Sequence, residues 1–407
     1  MANLIVVISL VAAAVLLLSP RLTSSPAWRA TVTPLASIIG SGFLVSLPLL
    51  VHDLGLYATA GMAFLVGFSY LLGGAIRFNI LHGEPLFTEG KSGWVGWLET
   101  LSHLALALAY FISVTYYLTL LAAFLLRGIG VSHVIAGKVL TTAILAGIGF
   151  QGLFRGLHGL ETIEEYAVGL KLAIIAAALA ALAWLNLDRA VSGAWHLPAI
   201  ETSIGWHSIR TVLGLLIVVQ GFETSRFLAG AYSPELRVRT MRYAQILSGA
   251  IYITFFLLAI VGLNERDVLS TDVTGIVALL KPVASLLPLA IIGGAIFAQL
   301  SAAVADAIGA GGLIEDVSKK RIDHRHAYPV IALIGITLTW TLNVFGVIVL
   351  ASRAFALFYL LQCLVAAGVA MRAPDVRRRS LHVAGFLALA LLAFVAVVFG
   401  APVADAG

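Results

Sequence analysis

The chain has 407 residues, of which 60% are hydrophobic and only 11% are charged, and its mean hydropathy is +1.02. This composition lies far outside that of soluble domains and places the protein in a lipid bilayer. The formal net charge of +5 requires no nucleic-acid partner, because basic loops are the usual topology signal of membrane proteins. The single cysteine, Cys363, excludes a disulfide within the chain.

Long apolar segments predict an all-α polytopic membrane protein, since a helix needs about 20 apolar residues to span the bilayer. About twelve segments qualify, over residues 2–18, 31–52, 56–80, 97–127, 132–154, 160–185, 207–229, 240–263, 282–312, 328–350, 353–371 and 382–401. The first lacks the basic start and small-residue cleavage site of a signal peptide, so we expect a retained extra helix within residues 1–20. The connections are short, which predicts one membrane domain.

The basic residues are distributed unequally between the two sides of the predicted helical bundle. Of the 25 Lys and Arg residues, 17 fall on one side, seven on the other, and Lys171 lies within a span. Because the side richer in Lys and Arg is normally cytoplasmic, both chain termini are predicted outside the cytoplasm. We expect a multi-pass protein of the cell (plasma) membrane whose second segment, 31–52, starts at the cytoplasmic side.

An interruption is predicted in that second segment, where Gly40 and Gly42 flank Ser41. These residues lie about ten positions into the span, or roughly 15 Å, close to the midplane of the hydrocarbon core. Glycine weakens a helix, and freed backbone groups are tolerated in lipid only where they face protein or a wet cavity. The exposed N–H groups would suit a carboxylate or another anion. The alternative, which the glycines alone favour, is close packing of helices through small residues.

A second interruption is predicted in LIVVQGFETSRF, residues 216–227, where Gly221, Glu223 and Thr224 fall well inside the seventh segment. Five segments counted from each interruption give repeats over 31–185 and 207–372. Because five is odd, the second repeat is inverted relative to the first. Inverted repeats around discontinuous first and sixth core helices are typical of secondary transporters. The helix at 382–401 is then an addition to the ten-helix core, 31–372.

Three stretches resemble the amino acid–polyamine–organocation (APC) permeases, which share the five-plus-five fold of the bacterial leucine transporter. IIGSGFLVSLP, residues 38–48, is similar to the first core helix of that family, and GFETS, residues 221–225, is similar to its sixth. SPELRVRTMRYAQILSGAIYITF, residues 233–255, resembles the cytoplasmic loop and the helix that follow. The resemblance covers about residues 31–372 and implies a permease fold with alternating access.

The resemblance also implies a substrate site at the two interruptions. Ser41 and Gly42, together with the backbone of Ile39 and Gly40, would hold the carboxylate of an amino acid-like substrate. Gly221 and Phe222 would offer the opposing backbone to its amine, with Phe222 as a gate. Glu223 and Thr224 complete the predicted substrate-binding set.

Glu223 has two interpretations on the sequence alone. An ionised carboxylate at this depth is costly unless it is paired or wet. It could accept hydrogen bonds from the interrupted backbone or pair with Arg226, three residues on. Alternatively, it could bind a cation or handle a proton directly.

Lys171 is the second charge predicted deep in the membrane, about eleven residues or roughly 16 Å into its helix. The resemblance implies that a lysine here replaces the sodium ion of sodium-coupled relatives, with Asp306 as its partner and Ser301 nearby. The alternative is that Asp306 and Ser301 bind Na⁺, since hard cations favour oxygen ligands. Two positive charges in one small dry site repel each other, which favours the lysine.

The sequence therefore predicts a secondary transporter or exchanger of amino acids or related small amines, independent of Na⁺ and with H⁺ as a candidate coupling ion. No catalytic residue, metal site or cofactor is expected, because phosphate-binding loops, hydrolase elbows and zinc motifs are absent from the sequence. Two alternatives stay open. One is an inorganic cation transporter on the same fold, with Glu223 and Asp306 as ligands, and the other is a sensor or assembly subunit that does not transport.

Overall fold

The computed structural model describes residues 1–40, 42–90, 93–131, 133–155, 161–198, 204–263, 272–373 and 378–402, with the backbone alone at 43, 155 and 161–167. Within these residues the chain is helical and contains no strand. The helices of the first half are α1 (Ala2–Leu17), α2 (Pro20–Thr23), α3 (Pro26–Ile38), α4 (Gly42–Leu54), α5 (Ala58–Phe78), α6 (Glu84–Thr88), α7 (Trp94–Gly128), α8 (Val134–Arg155) and α9 (Glu161–Val191).

The second half begins with a short helix and two 3₁₀ segments and continues with long helices. Its elements are α10 (Trp206–Gly214), 3₁₀ segments Leu216–Val219 and Phe222–Leu228, α11 (Pro234–Ala259), α12 (Gly275–Leu280), α13 (Leu287–Val317), α14 (Ala327–Thr341), α15 (Val344–Arg372) and α16 (Arg379–Phe399). A π-helical turn, Asn79–Gly83, joins α5 to α6. Proline at the first helical turn starts α3 and α11, where the missing N–H costs no hydrogen bond.

Eight helical stretches among the described residues are long and apolar enough to cross a membrane. One of them, Leu44–Thr88, is folded back on itself by a turn at Gly55, whose φ of 55° favours glycine. The helix α1 and the interrupted segments are shorter than these stretches, and α14 has only 15 residues. A polytopic membrane protein is therefore confirmed, whereas the count of twelve spans stays a prediction.

The core of the bundle is built around α7, the longest helix of the described residues. It packs against α13 and α15, while α8 packs against α14 and α5 against α11. Short α3 lies between α11 and the segment 222–228, so the two interrupted regions meet at the centre. The first and last helices pack against single long neighbours, α1 against α9 and α16 against α15.

Candidate substrate site

The first interruption leaves helix α3 with carbonyl groups that no later turn can satisfy. The helix ends at Ile38, and α4 begins at Gly42. Lys171 on α9 donates a hydrogen bond to the Ala36 carbonyl at 2.8 Å. Its amino group lies at the negative end of the α3 dipole, where a positive charge would be favoured. Ser41, predicted to bind substrate, lies outside the described residues.

The second interruption depends on Gly221. Its φ of +112° is a conformation that residues with a side chain rarely adopt. A Cβ there would lie 2.6 Å from both the carbonyl carbon and the Oγ of Ser37 on α3. Thr224 closes the turn that follows, because its hydroxyl donates to the Gly221 carbonyl at 2.7 Å. Glycine therefore allows both the backbone turn and the close approach of the two segments.

Tyr252 of α11 joins the two interruptions. Its hydroxyl oxygen lies 2.9 Å from the Ile38 carbonyl oxygen and 2.7 Å from that of Val218. A tyrosine hydroxyl has one proton, so it can donate to only one of these carbonyls at a time. The side chain is 1% exposed, which leaves the two carbonyls little access to water.

Gly42 supports the packing interpretation of the glycine pair, whereas Gly40 has more room. A Cβ at Gly42 would lie 3.2 Å from Val218 Cα and 3.3 Å from its carbonyl oxygen. A Cβ at Gly40 would make only an ordinary contact, 3.6 Å from a ring carbon of Tyr117. The start of α4 is thus pressed directly on the second interrupted segment.

Glu223 is fully buried and is held by the interrupted backbone. Its Oε2 accepts hydrogen bonds from the Gly221 N–H at 2.9 Å and from the Tyr359 hydroxyl at 2.8 Å. Its Oε1 accepts no hydrogen bond from the residues that the structure describes. Of the alternatives for Glu223, hydrogen bonding to the interrupted backbone is present, whereas Arg226 forms an ion pair with Glu99 at 2.5 Å. Nearer donors hold the glutamate, and the arginine extends to another helix.

Phe222 lies beside this carboxylate and is also fully buried. Its ring stacks on that of Tyr359, with the centroids 5.0 Å apart and the planes 14° from parallel. An aromatic pair in this geometry contributes about 0.5–1.5 kcal/mol beyond the area it buries. The role of Phe222 as a gate stays a prediction.

Comparison with known proteins places this helical membrane bundle in a family of transporters. A family profile described as APC superfamily transporter matches residues 20–400. The chain belongs to this family. An uncharacterized protein of Aquifex aeolicus strain VF5 is similar to it, with 43% identity over 362 residues, which cover 88% of each chain. The family resemblance inferred from the sequence is confirmed, and this APC transporter is expected to carry a small-molecule substrate.

In this APC transporter the predicted coupling residues lie on α9 and α13. Lys171 is 6% exposed and lines a small cavity with Gly40 and the stretch of α13 from Ile291 to Ala298. Asp306 lies eight residues beyond Ala298, about 12 Å along the helix axis. It is buried and accepts a hydrogen bond from Ser113 of α7. Pairing of Lys171 with Asp306 stays a prediction, as does the part of half-buried Ser301.

Several residues of the site were missed from the sequence. Gln220 donates from Nε2 to the Tyr117 hydroxyl at 2.7 Å, which ties the second interruption to α7. Tyr359 holds Glu223, and Tyr252 joins the two backbones. The available signal was weak: each is a polar group in an otherwise apolar span. Across the described part of the chain, no three His, Cys, Asp or Glu residues are close enough to hold a metal ion.

Proposed function

We propose that this protein is a secondary transporter of amino acids or related small organic amines that works by alternating access around the two interruptions. The observation that carries the proposal is the direct contact of the interruptions at the centre of the bundle, at Gly221 against Ser37. Helix ends at mid-membrane depth are where transporters of this architecture bind substrates.

The substrate carboxylate is assigned to the first interruption, at Ile39, Gly40, Ser41 and Gly42. The N–H groups at the start of α4 have no partner within the helix, and the positive end of its dipole favours an anion. The amine is assigned to the second interruption, at Gly221, Phe222, Glu223 and Thr224. The buried Oε1 of Glu223 accepts no hydrogen bond from described residues and is suited to receive an ammonium group.

We assign the core to two inverted repeats, 31–185 and 207–372, with extra helices at 1–20 and 382–401. Helices at corresponding positions of the two halves pack against each other, as α5 does with α11, α7 with α13 and α8 with α14. Contacts between counterparts are expected near a pseudo-twofold axis. The excess of Lys and Arg on one side supports insertion in the cell membrane with both termini outside.

We assign the coupling of transport to an energy source to Lys171 rather than to a bound sodium ion. Its ammonium group already occupies the negative end of α3, where it donates to the Ala36 carbonyl. A cation bound beside it would be repelled. Transport would then be Na⁺-independent, driven by protons or run as exchange, with Asp306 influencing the charge state of the lysine.

The first test is a thermal-shift screen of the purified protein with amino acids and amines, followed by counterflow of labelled hits in proteoliposomes. Saturable counterflow of at least one such solute is expected. Counterflow of K⁺ or divalent ions without organic counterflow would favour the inorganic cation alternative. Binding without transport of any solute would favour a sensor.

A further inference from the structure

Beyond the two interruptions, a second buried polar cluster is centred on Gln362 of α15. Its Nε2 donates to Glu99 Oε2 at 3.0 Å and to Ser102 Oγ at 2.7 Å. Its Oε1 accepts from Asn79 Nδ2 at 2.9 Å and from Arg226 Nη1 at 2.6 Å. The amide thus uses both of its N–H groups and both oxygen lone pairs. One side chain connects α7, the turn at 79–83 and the segment 222–228.

The charged part of the cluster is the ion pair of Glu99 and Arg226. Arg226 Nη2 lies 2.5 Å from Glu99 Oε1, and the side chains are 7% and 10% exposed. His103, one helical turn along α7, lies 2.9 Å from the same carboxylate oxygen and is 27% exposed. The pair is therefore buried, with the histidine at its rim.

This ion pair links two groups of helices. The segment 222–228, which carries Arg226, packs against α3, α5 and α11. Glu99 and Gln362 lie on α7 and α15, which pack extensively against each other. Arg226 therefore adds an ionic contact between the helices around the interruptions and the α7–α15 pair, which also contacts the second interruption through Tyr117 and Tyr359.

A buried ion pair makes a closure that can open. Its Coulomb attraction is largely offset by the loss of hydration of both charges. When the two partners separate into an aqueous pathway, each charge regains its water, whereas separated apolar side chains would gain no such compensation. The cluster lies four residues beyond Phe222, about 8 Å along a 3₁₀ helix. It therefore lies one layer from the substrate site, towards the side that the proposed topology makes cytoplasmic.

We propose that Glu99 and Arg226 form the cytoplasmic gate of this transporter and that Gln362 is the residue that positions them. The pair is closed in this structure and separates when substrate is released to the cytoplasm. This inference rests on the proposed alternating access, because it assigns the contact that must break at one stage of that cycle.

A second ion pair provides a matched control. Arg237 of α11 donates to both carboxylate oxygens of Glu84 on α6, at 2.9 and 2.6 Å. Both helices pack against the turn at 79–83. Arg237 Nη1 also donates to the Arg226 carbonyl at 3.1 Å, and Glu84→Gln leaves that hydrogen bond in place. The change therefore removes the charge of a half-buried carboxylate without breaking a contact of the segment 222–228 with α7 or α15.

The test measures access to a cysteine placed between the interruption and the gate. Ser225 is fully buried, so Ser225→Cys in a Cys363→Ala background reports on opening. A membrane-impermeant maleimide is applied to vesicles of each orientation. Glu99→Gln and Gln362→Leu should each raise the labelling rate about tenfold from the cytoplasmic side alone, a modest shift of a two-state equilibrium. Glu84→Gln should leave the labelling rate within about twofold of that of the Ser225→Cys, Cys363→Ala protein, since it does not shift the equilibrium between closed and open gate.

Folding of each variant is checked by thermal unfolding in detergent, and Gln362→Leu carries the test if Glu99→Gln does not fold. The exchanged pair Glu99→Arg with Arg226→Glu should restore slow labelling, because opposite charges again face each other between α7 and the segment 222–228. Three results would contradict the proposed gate: unchanged labelling in a folded gate variant, an equal rise in labelling from both sides, or an equal rise in Glu84→Gln. The assay needs no substrate, so a failure of uptake would remove the proposed function without deciding the gate.

Discussion

Gly221 approaches Ser37 so closely that a Cβ on the glycine would lie 2.6 Å from the serine Oγ. The two interrupted helices are thus joined where one residue has no side chain. Any other residue at position 221 would meet both this steric overlap and a strained backbone, because the φ of Gly221 is +112°. The contact makes the two interruptions one structural unit.

Gly221→Ala should therefore destabilise the protein and abolish substrate binding. Overpacking of a tight core costs about 1–3 kcal/mol, and the left-handed backbone adds to it. Thermal unfolding in detergent measures the loss. Gly230→Ala is the control, because a Cβ at Gly230 meets no atom within 4 Å. Equal stability of the two variants would show that the segments are not held together at Gly221.

Tyr252→Phe tests the hydroxyl that joins the carbonyl groups of Ile38 and Val218. Loss of the hydroxyl leaves a buried carbonyl without its donor, at a cost of about 1–3 kcal/mol. We expect a lower unfolding temperature and slower transport. Tyr243→Phe on the same helix should change neither, since Tyr243 is 52% exposed. Indistinguishable behaviour of the two variants would remove Tyr252 from the site.

The sequence predicted both interruptions because glycine next to polar residues in a long apolar run is a local signal. It could not predict what holds them together. Tyr252 and Ile38 are 214 residues apart, and Gln362 and Glu99 are 263 residues apart. Such contacts depend on how the helices pack, which no periodicity within one segment reveals.

Local spacing also suggested a partner for Glu223 that pairs with another carboxylate. Arg226 is three residues on, but the Gly221 N–H and the Tyr359 hydroxyl hold the carboxylate, and Arg226 extends to α7. At the glycines, by contrast, the local pattern indicated a contact that the structure contains. Close packing, kept as an alternative, describes Gly42 against Val218, whereas a carboxylate site at the same place stays a prediction.

Glu223→Gln tests whether the buried carboxylate acts by its charge. Glutamine has a similar volume and keeps an oxygen that can accept from the Gly221 N–H and the Tyr359 hydroxyl. The variant should therefore fold with little change in stability. Affinity for an amine-bearing substrate should fall at least about tenfold, because a charge-assisted hydrogen bond is lost. Titration of the thermal shift measures it, with exposed Glu235→Gln as the control. Near-normal transport at every pH tested would limit Glu223 to backbone support.

Lys171→Ala should slow cycling more than it weakens substrate binding. The substitution removes the donor to the Ala36 carbonyl at the end of α3 but changes no residue of either interruption. Comparing substrate-induced thermal shift with proteoliposome uptake separates these effects. Uptake that is as fast as in the unmodified protein would exclude Lys171 from coupling.

Uptake of a labelled amino acid or amine into proteoliposomes, with Na⁺ fully replaced by choline at matched pH and membrane potential, decides between coupling through Lys171 and coupling to sodium. The expected result is saturable uptake that is equal in the Na⁺ and choline media and that either rises with an inward-acid gradient or runs as exchange. A strict, saturable Na⁺ requirement would contradict it and would make Ser301 and Asp306 the sodium ligands.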